Sequence, residues 1–134
     1  MATETVNDLP PLAEEVLGTK ALAFLATIDP DGRPQVTPVW VNVEDGKVLI
    51  NTAEGRVKHR NIERDPRVTL AVHDPDDQYR WVSIQGRASM TTEGAEAHID
   101  RLAKKYLGKD TYPWHTPDQQ RVKVTIEPER VVTS

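Results

Sequence analysis

The fold is decided by residues 21–53, which read ALAFLATIDPDGRPQVTPVWVNVEDGKVLINTA. Apolar and β-branched residues fill three runs of strand length, and turn-forming residues separate the runs. Asp29-Pro30-Asp31-Gly32 is the first separator, in which proline favours a bend and glycine accepts a positive φ. Asp45-Gly46 is the second, a two-residue hairpin signal. The stretch is therefore predicted to be an antiparallel meander of strands at Ala21–Ile28, Pro34–Glu44 and Lys47–Ala53.

The rest of the chain is predicted to add three strands and three helices. Apolar and polar residues alternate in the further strands, at Arg67–Asp74, Gln78–Thr91 and Arg121–Val132. Apolar residues recur at helical spacing in the helices, at Asp8–Gly18, Glu54–Asp65 and Glu93–Leu107. Asp8 is predicted to cap the first helix and Gly18 to end it. A loop is predicted at Lys109–Gln119.

Six strands that are mostly joined by hairpins fit a small barrel better than an open sheet, because closure removes exposed strand edges. Strands and helices do not alternate as they do in a parallel α/β protein. The predicted fold class is therefore mainly β, a six-stranded antiparallel barrel with flanking α-helices. A chain of 134 residues suits one such domain, spanning residues 1–134.

Composition excludes several classes of protein. No window approaches the roughly 20 apolar residues that a membrane span requires, so we expect no membrane partner. The amino-terminal residues are acidic and lack the order of a secretory signal. The chain has no cysteine, which excludes disulfides, thiolate metal sites and cysteine nucleophiles and favours a cytoplasmic location. A net charge of −4 argues against nucleic acid as a partner.

The common catalytic motifs are also missing. The chain has no G-x-S-x-G hydrolase motif, no G-x-G-x-x-G after a strand and no Walker lysine. The four histidines include no pair at i,i+4 spacing, so no metal site is predicted, and His73 and His98 are interpreted as surface residues. We therefore assign no catalytic residue from the sequence.

One segment is distinctive, because polar residues at a strand end lead directly into a basic helix. Asn51 and Thr52 close the strand, and Arg56, Lys58 and Asn61 follow. A guanidinium, an ammonium and the backbone N–H groups of a helix start together suit a phosphate or another small anion. A merely solvated helix face is the alternative interpretation.

The chain resembles the pyridoxamine-phosphate-oxidase-like flavin-binding split barrels, and within them the actinobacterial branch that uses the deazaflavin coenzyme F420. The resemblance spans roughly residues 12–132. It is carried by four motifs: Ala26-Thr27-Ile28-x-x-Asp31-Gly32-x-Pro34-x-x-x-Pro38-Val39-Trp40, Arg56-x-Lys58-x-x-Asn61-Ile62-x-Arg64-Asp65-Pro66-Arg67-Val68, Tyr79-Arg80-Trp81-Val82-x-Ile84-x-Gly86-x-Ala88 and Tyr106-Leu107-Gly108-x-Asp110-x-Tyr112-Pro113.

The resemblance implies a split barrel that forms homodimers, with two cofactors in grooves between the subunits. The residues that it implies to border the deazaflavin ring are Gln35, Thr37, Pro38 and Val39, with Asn51 and Thr52 at the neighbouring strand end. The residues that it implies to hold the phosphate and acidic tail are Arg56, Lys58 and Asn61. The residues that it implies to come from the other subunit are Tyr79, Arg80 and Trp81.

The implied activity is transfer of hydride from the reduced deazaflavin to a small, electron-poor organic acceptor, with the cofactor carrying the chemistry. One alternative is an oxidase or flavin reductase that binds flavin mononucleotide (FMN), whose phosphate the same basic pair would hold. Another is a non-catalytic carrier of a cofactor or haem. Oxidoreductase activity with coenzyme F420 is the hypothesis that the sequence favours.

Several residues allow two interpretations. Trp40 and Trp81 are either ligand-contacting or packing aromatics, and Pro38 marks either a bulge or a carbonyl left free for a ring donor. Tyr112, Trp114 and His115 form either a lid over the substrate or an ordinary loop anchor. Gly86 is predicted to permit close backbone approach at a bend of the barrel.

Overall fold

The computed structural model describes residues 2–5 and 8–134, and its strands form one antiparallel sheet. The strands are β1 (Ala2–Thr5), β2 (Ala23–Ile28), β3 (Pro34–Val39), β4 (Asn42–Glu44), β5 (Lys47–Ala53), β6 (Arg67–Asp74), β7 (Asp77–Thr91) and β8 (Arg121–Thr133). The helices are α1 (Pro11–Leu17), α2 (Val57–Arg64) and α3 (Ala95–Leu107). The predicted mainly β class with flanking helices is confirmed.

The sheet runs in the order β3-β2-β6-β7-β8-β5-β4, and β1 pairs with β8. Its two end strands, β3 and β4, are consecutive in the chain and are joined by Trp40 and Val41. The amino-terminal half of β8 pairs with β5, its carboxyl-terminal half pairs with β1, and β7 lies along its other side. The sheet thus curls until its ends meet at a two-residue connection.

The predicted strand count of six is wrong, because the described residues contain eight strands. The predicted strand Pro34–Glu44 breaks after Val39, where backbone groups find side-chain partners. The Val41 N–H donates to the Tyr106 hydroxyl at 3.1 Å, and the Val41 carbonyl accepts from Lys105 Nζ at 2.6 Å. The additional strand β1 pairs with residues at the end of β8. Contacts distant in sequence therefore set both differences.

The turns follow the predicted chemistry, whereas one helix cap does not. Asp45 and Gly46 have φ values of 53° and 75°, the left-handed conformations of a tight hairpin. Helix α1 begins after Pro10 without a side-chain cap, so the predicted capping role of Asp8 is wrong. Gly18 does end α1, its N–H donating to the Glu14 carbonyl at 3.0 Å.

The barrel interior is filled by alternate residues of the strands, including Leu25, Ile50, Leu70, Ile84 and Ile126, each at most 1% exposed. Helix α1 packs against β4, β6 and β7, whereas α2 and α3 both contact β5. The start of α2 and one face of α3 therefore both lie near β5, and residues of both helices line the same cleft. None of the described helices has the length and apolar character of a membrane-spanning segment.

Candidate functional site

A cleft of about 250 Å³ opens where β3, β5, α2, α3 and β8 approach one another. We call it the cationic cleft. It is lined by Leu22, Pro38, Val39, Trp40, Asn51, Arg56, Lys58, Ile99, Leu102, Tyr112, Trp114 and Arg121. Five residues that the family resemblance implies to contact the cofactor, Pro38, Val39, Asn51, Arg56 and Lys58, thus come together here. The cleft also contains Arg121, which sequence reasoning missed.

A larger depression, of about 470 Å³, lies over the outer face of β2, β6 and β7. The guanidinium of Arg67, which lines it, is already engaged by Asp65 at 2.7 Å. This pair holds the pKa of Asp65 down at about 2. The cation in the larger depression is therefore neutralised within the chain, and the smaller cleft is the better candidate for an anionic ligand.

Positive charge in the cationic cleft is not neutralised by an ion pair in the part of the chain whose side chains the structure describes. Within residues 8–134, Arg56, Lys58 and Arg121 form no ion pair. Burial, followed by the charges of Arg56 and Arg121, lowers the pKa of Lys58 from its usual value. Burial and the charge of Arg56 lower the pKa of Arg121 as well, although Tyr112 and the charge of Glu96 act in the opposite direction. Three cations that repel one another form a site suited to an anion.

The start of α2 adds backbone donors to these charges. Arg56 is the N-cap residue in an extended conformation, and the helix has no side-chain cap. Gly55 precedes it at a φ of 85°, and its N–H donates to Nδ1 of His59 at 3.1 Å. The N–H groups of the first turn therefore lie next to Arg56 and Lys58, a favourable arrangement for an anion.

Aromatic rings form the opposite wall of the cationic cleft. Trp40 stacks on Tyr106 with ring centroids 5.3 Å apart, and its edge meets Tyr112 at 6.1 Å. Tyr112 in turn contacts Trp114 at 5.5 Å and lies under the Arg121 guanidinium at 5.3 Å. Planar ligands pack well against such a wall. Trp40 is thus both a packing residue and a lining residue.

The loop carrying Tyr112, Trp114 and His115 is fastened to α3. The Asp100 carboxylate accepts from the Tyr112 N–H at 2.8 Å and contacts His115 Nε2 at 3.0 Å, and Glu96 contacts His115 Nδ1 at 3.0 Å. Trp114 remains 59% exposed beside the cleft. The loop is therefore held against α3 while two of its rings line the cleft.

Other residues implied to bind the cofactor lie outside the cationic cleft. Gln35 contacts Thr27 at 3.4 Å, and the hydroxyl oxygens of Thr37 and Thr52 are buried without a hydrogen-bond partner among the described residues. Asn61 is buried, and its amide is fully engaged. It donates to Thr27 Oγ1 and Asp29 Oδ1, and it accepts from Arg64.

The segment Tyr79-Arg80-Trp81 lies at the start of β7, on another face of the barrel. Tyr79 is 77% exposed, and Arg80 bridges Asp74 at 2.8 Å and Glu15 at 2.7 Å. Trp81 lines a shallow depression with Phe24 and His73. These residues do not reach the cationic cleft of their own chain.

The interpretation of His98 as a surface residue is wrong, because its side chain is fully buried. Its Nε2 lies 2.8 Å from Asn42 Oδ1, and its Nδ1 lies 3.1 Å from Asn51 Nδ2. Burial lowers the pKa of His98 to about 4, so the ring is neutral at physiological pH. Asn51 is thereby tied to α3, and its oxygen accepts from Arg121 Nε at 2.8 Å.

Comparison with known proteins identifies relatives that match more than nine-tenths of the chain. A family model described as pyridoxamine 5'-phosphate oxidase matches residues 9–134. An F420H(2)-dependent biliverdin reductase from Mycobacterium tuberculosis is 28% identical over 135 residues, covering 96% of this chain and 93% of the relative.

Two solved structures are similar in fold and in sequence. A structure described as an F420 reductase superposes with a TM-score of 0.80 at 28% identity, covering 92% of this chain and 98% of its own. The conserved hypothetical protein Rv2991 from Mycobacterium tuberculosis superposes with a TM-score of 0.72 at 26% identity, covering 97% of this chain and 88% of its own.

Proposed function

Because this chain belongs to the pyridoxamine 5'-phosphate oxidase family, we propose that it is a reductase that binds coenzyme F420. In the proposed reaction a hydride passes from the reduced deazaflavin to a small, electron-poor organic acceptor. The unneutralised charge of the cationic cleft carries the proposal. Two relatives matched over more than nine-tenths of this chain support it, an F420H(2)-dependent biliverdin reductase and an F420 reductase.

The residues of the cationic cleft fit the parts of such a cofactor. Its anionic tail would be held by Arg56 and Lys58, and by the N–H groups at the start of α2. Pro38 and Val39, at the end of β3, would border the ring, opposite the aromatic wall. When bound, the reduced deazaflavin supplies the hydride, and the protein supplies position, charge and exclusion of water.

FMN is the second candidate cofactor, favoured by the family to which the chain belongs. A carrier of a cofactor or haem is the third possibility, and a binding screen separates the three. Purified protein would be titrated with coenzyme F420, FMN and haem, following fluorescence quenching or the absorbance of each ligand. We expect saturable binding of coenzyme F420 that is tighter than binding of FMN or haem. Tight binding of FMN alone would overturn the proposal in favour of a flavin enzyme.

Turnover is tested by anaerobic mixing with reduced coenzyme F420 and a panel of acceptors. Biliverdin, quinones and nitro compounds are suitable members, because each accepts two electrons. We expect at least one acceptor to restore the absorbance of the oxidised coenzyme in proportion to protein concentration. Binding of the coenzyme without oxidation by any acceptor would identify a carrier instead.

We also propose that the active form is a homodimer. The outer face of β2, β3 and β6 presents Phe24 and Val36, which are 48% and 56% exposed. Ala71 and Trp81 line one depression together with Phe24. A sheet face that exposes large apolar side chains in this way is typical of an interface. Two-fold pairing is the commonest way to cover it, and it would present Tyr79, Arg80 and Trp81 to the partner.

Charge placed on this face is expected to separate the subunits. Phe24→Arg should sediment as a monomer at micromolar concentration, where we expect the unmodified protein to be a dimer, because an unpaired guanidinium in an apolar interface is costly. Leu107→Arg, at the exposed end of α3, is the matched control and should remain dimeric. Sedimentation of the unmodified protein as a stable monomer would contradict the proposal.

A further inference from the structure

Arg121 is the least exposed cation of the cationic cleft, only 3% exposed, yet its hydrogen-bond partners carry no charge. Its Nε donates to Asn51 Oδ1 at 2.8 Å, and its Nη1 donates to Gln119 Oε1 at 3.0 Å. A guanidinium removed from water is ordinarily paired with a carboxylate, because burial of an unpaired charge is costly. The nearby Glu96 carboxylate attracts Arg121 but contacts His115 instead, so the remaining attraction of Arg121 for an anion is directed at the cleft that it lines.

In the hydrogen-bond network behind Arg121, the donor and acceptor roles can be assigned in only one way. Since Asn51 Oδ1 accepts from Arg121, its Nδ2 donates, and it does so to the Ala95 carbonyl at 3.0 Å and to His98 Nδ1 at 3.1 Å. His98 must then carry its proton on Nε2, which donates to Asn42 Oδ1 at 2.8 Å. A flipped Asn51 amide would place two donors against each other.

The chain of hydrogen bonds ends on a fixed carboxylate. Asn42 Nδ2 donates to Glu44 Oε2 at 2.8 Å. Arg101 holds Glu44 through two further bonds, at 3.0 and 3.1 Å. The order is therefore Arg121, Asn51, His98, Asn42 and Glu44, running from a cation at the cleft to a carboxylate on β4. A network in which each donor has an acceptor holds its members in one geometry.

We propose that Arg121 is a third anion-binding residue of the cationic cleft and that His98 positions it through Asn51. The proposal rests on the proposed function and deepens it, because three cations suit a ligand that carries more than one anionic group. The second group would be a phosphate or carboxylate of the cofactor, or a carboxylate of the acceptor. Arg56 and Lys58 at the start of α2 then bind one anionic group, and Arg121 on β8 binds the other.

The first test compares Arg121→Gln with Arg121→Lys, titrating each with oxidised coenzyme F420. Glutamine removes the charge, and we expect binding to weaken about tenfold or more, because charge-assisted hydrogen bonds are the strong ones. Lysine restores the charge and should recover part of the affinity. If the dissociation constant is unchanged but KM for an acceptor such as biliverdin rises, Arg121 binds the acceptor. If neither changes, the proposal is overturned.

The role of His98 is tested by a double-mutant cycle. We expect His98→Leu to weaken binding about as much as Arg121→Gln, and the double variant to be no weaker than either, because both remove the same interaction. His98→Gln, which retains a donor and an acceptor, should recover much of the affinity. Additive losses of affinity would show that His98 acts independently of Arg121. Melting temperatures identify any variant that fails to fold.

Titration with inorganic pyrophosphate distinguishes failure of this proposal from failure of the proposed function. We expect the unmodified protein to bind pyrophosphate by calorimetry and Arg121→Gln to bind it less tightly. If the unmodified protein binds pyrophosphate but not coenzyme F420, the proposed cofactor is wrong, whereas a weaker Arg121→Gln titration still supports the anion site. If the unmodified protein and Arg121→Gln bind pyrophosphate equally well, and the first test also shows no change, Arg121 is not part of the anion site.

Discussion

Replacing Arg56 with glutamine and Lys58 with methionine in one protein is expected to weaken the binding of coenzyme F420 severely. A hydrogen bond from a charged group to phosphate or carboxylate contributes about 1.5–3 kcal/mol. Loss of two such cations should therefore weaken binding by about a hundredfold to ten-thousandfold. Lys58→Ala alone should show part of this loss. Fluorescence titration measures each dissociation constant.

The double variant is expected to remain folded, which distinguishes loss of a site from loss of the protein. Arg56 is exposed, and neither side chain forms an ion pair in the described part of the chain. Their mutual repulsion, which contributes to the lowered pKa of Lys58, disappears in the variant. Its melting temperature without ligand should thus equal or exceed that of the unmodified protein.

Arg60→Gln is the matched control for this experiment. Arg60 is an exposed cation on the same helix, but it does not line the cationic cleft. Its replacement lowers the net charge of α2 without touching the proposed site, so binding should change little. Equal losses of affinity in Arg60→Gln and in the double variant would indicate general attraction by a basic surface. Unchanged affinity in the double variant would remove the basis of the proposed function.

The parts of the fold that depend on residues adjacent in sequence were predictable. Strand periodicity and the chemistry of the Asp45-Gly46 turn are local, and the structure has both where the sequence indicates them. The break after Val39 was not predictable in this way. It depends on Lys105 and Tyr106, which lie more than 60 residues away and bind the backbone of Val41.

The burial of His98 is indicated by its position in the sequence. Position 98 lies three residues after Ala95 and four before Leu102, both of which belong to the apolar stripe of α3. Helical spacing alone therefore places it on the buried face. Its polar side chain suggested the opposite, and its partners Asn42 and Asn51 are fixed only when α3 packs against the sheet.

The position of Arg121 in the cleft depends on the register between β5 and β8, which the sequence does not provide. It is the first residue of β8 and pairs with Ala53, so it lies beside the end of β5. A shift of one residue would turn its side chain to the other face of the sheet. The basic segment at Arg56 and Lys58 is contiguous and could be recognised, whereas the third cation of the cleft comes from a strand more than 60 residues later.

Gly86→Ala is expected to cause a large loss of stability for a reason independent of the site. Gly86 lies at a register shift between β7 and β8, and a Cβ there would collide with the Glu127 carbonyl oxygen and lie 2.9 Å from Ile126 Cγ2. This confirms the prediction of close backbone approach. The φ of Gly86 lies outside the left-handed region, so the penalty comes from contact rather than backbone conformation.

The obstacle at Gly86 is mainly backbone, which cannot move aside as a flexible side chain would. Overpacking of this kind costs about 1–3 kcal/mol or more, and each kcal/mol lowers the melting temperature of a domain of this size by about 4 °C. We therefore expect Gly86→Ala to melt about 4–12 °C lower by circular dichroism.

Ser89→Ala, at an exposed position on the same strand, should melt within about 2 °C of the unmodified protein. Because Gly86 is distant from the cationic cleft along β7 and β8, coenzyme affinity well below the transition should be retained. A melting temperature equal to that of Ser89→Ala would show that the two strands can separate locally to admit a methyl group.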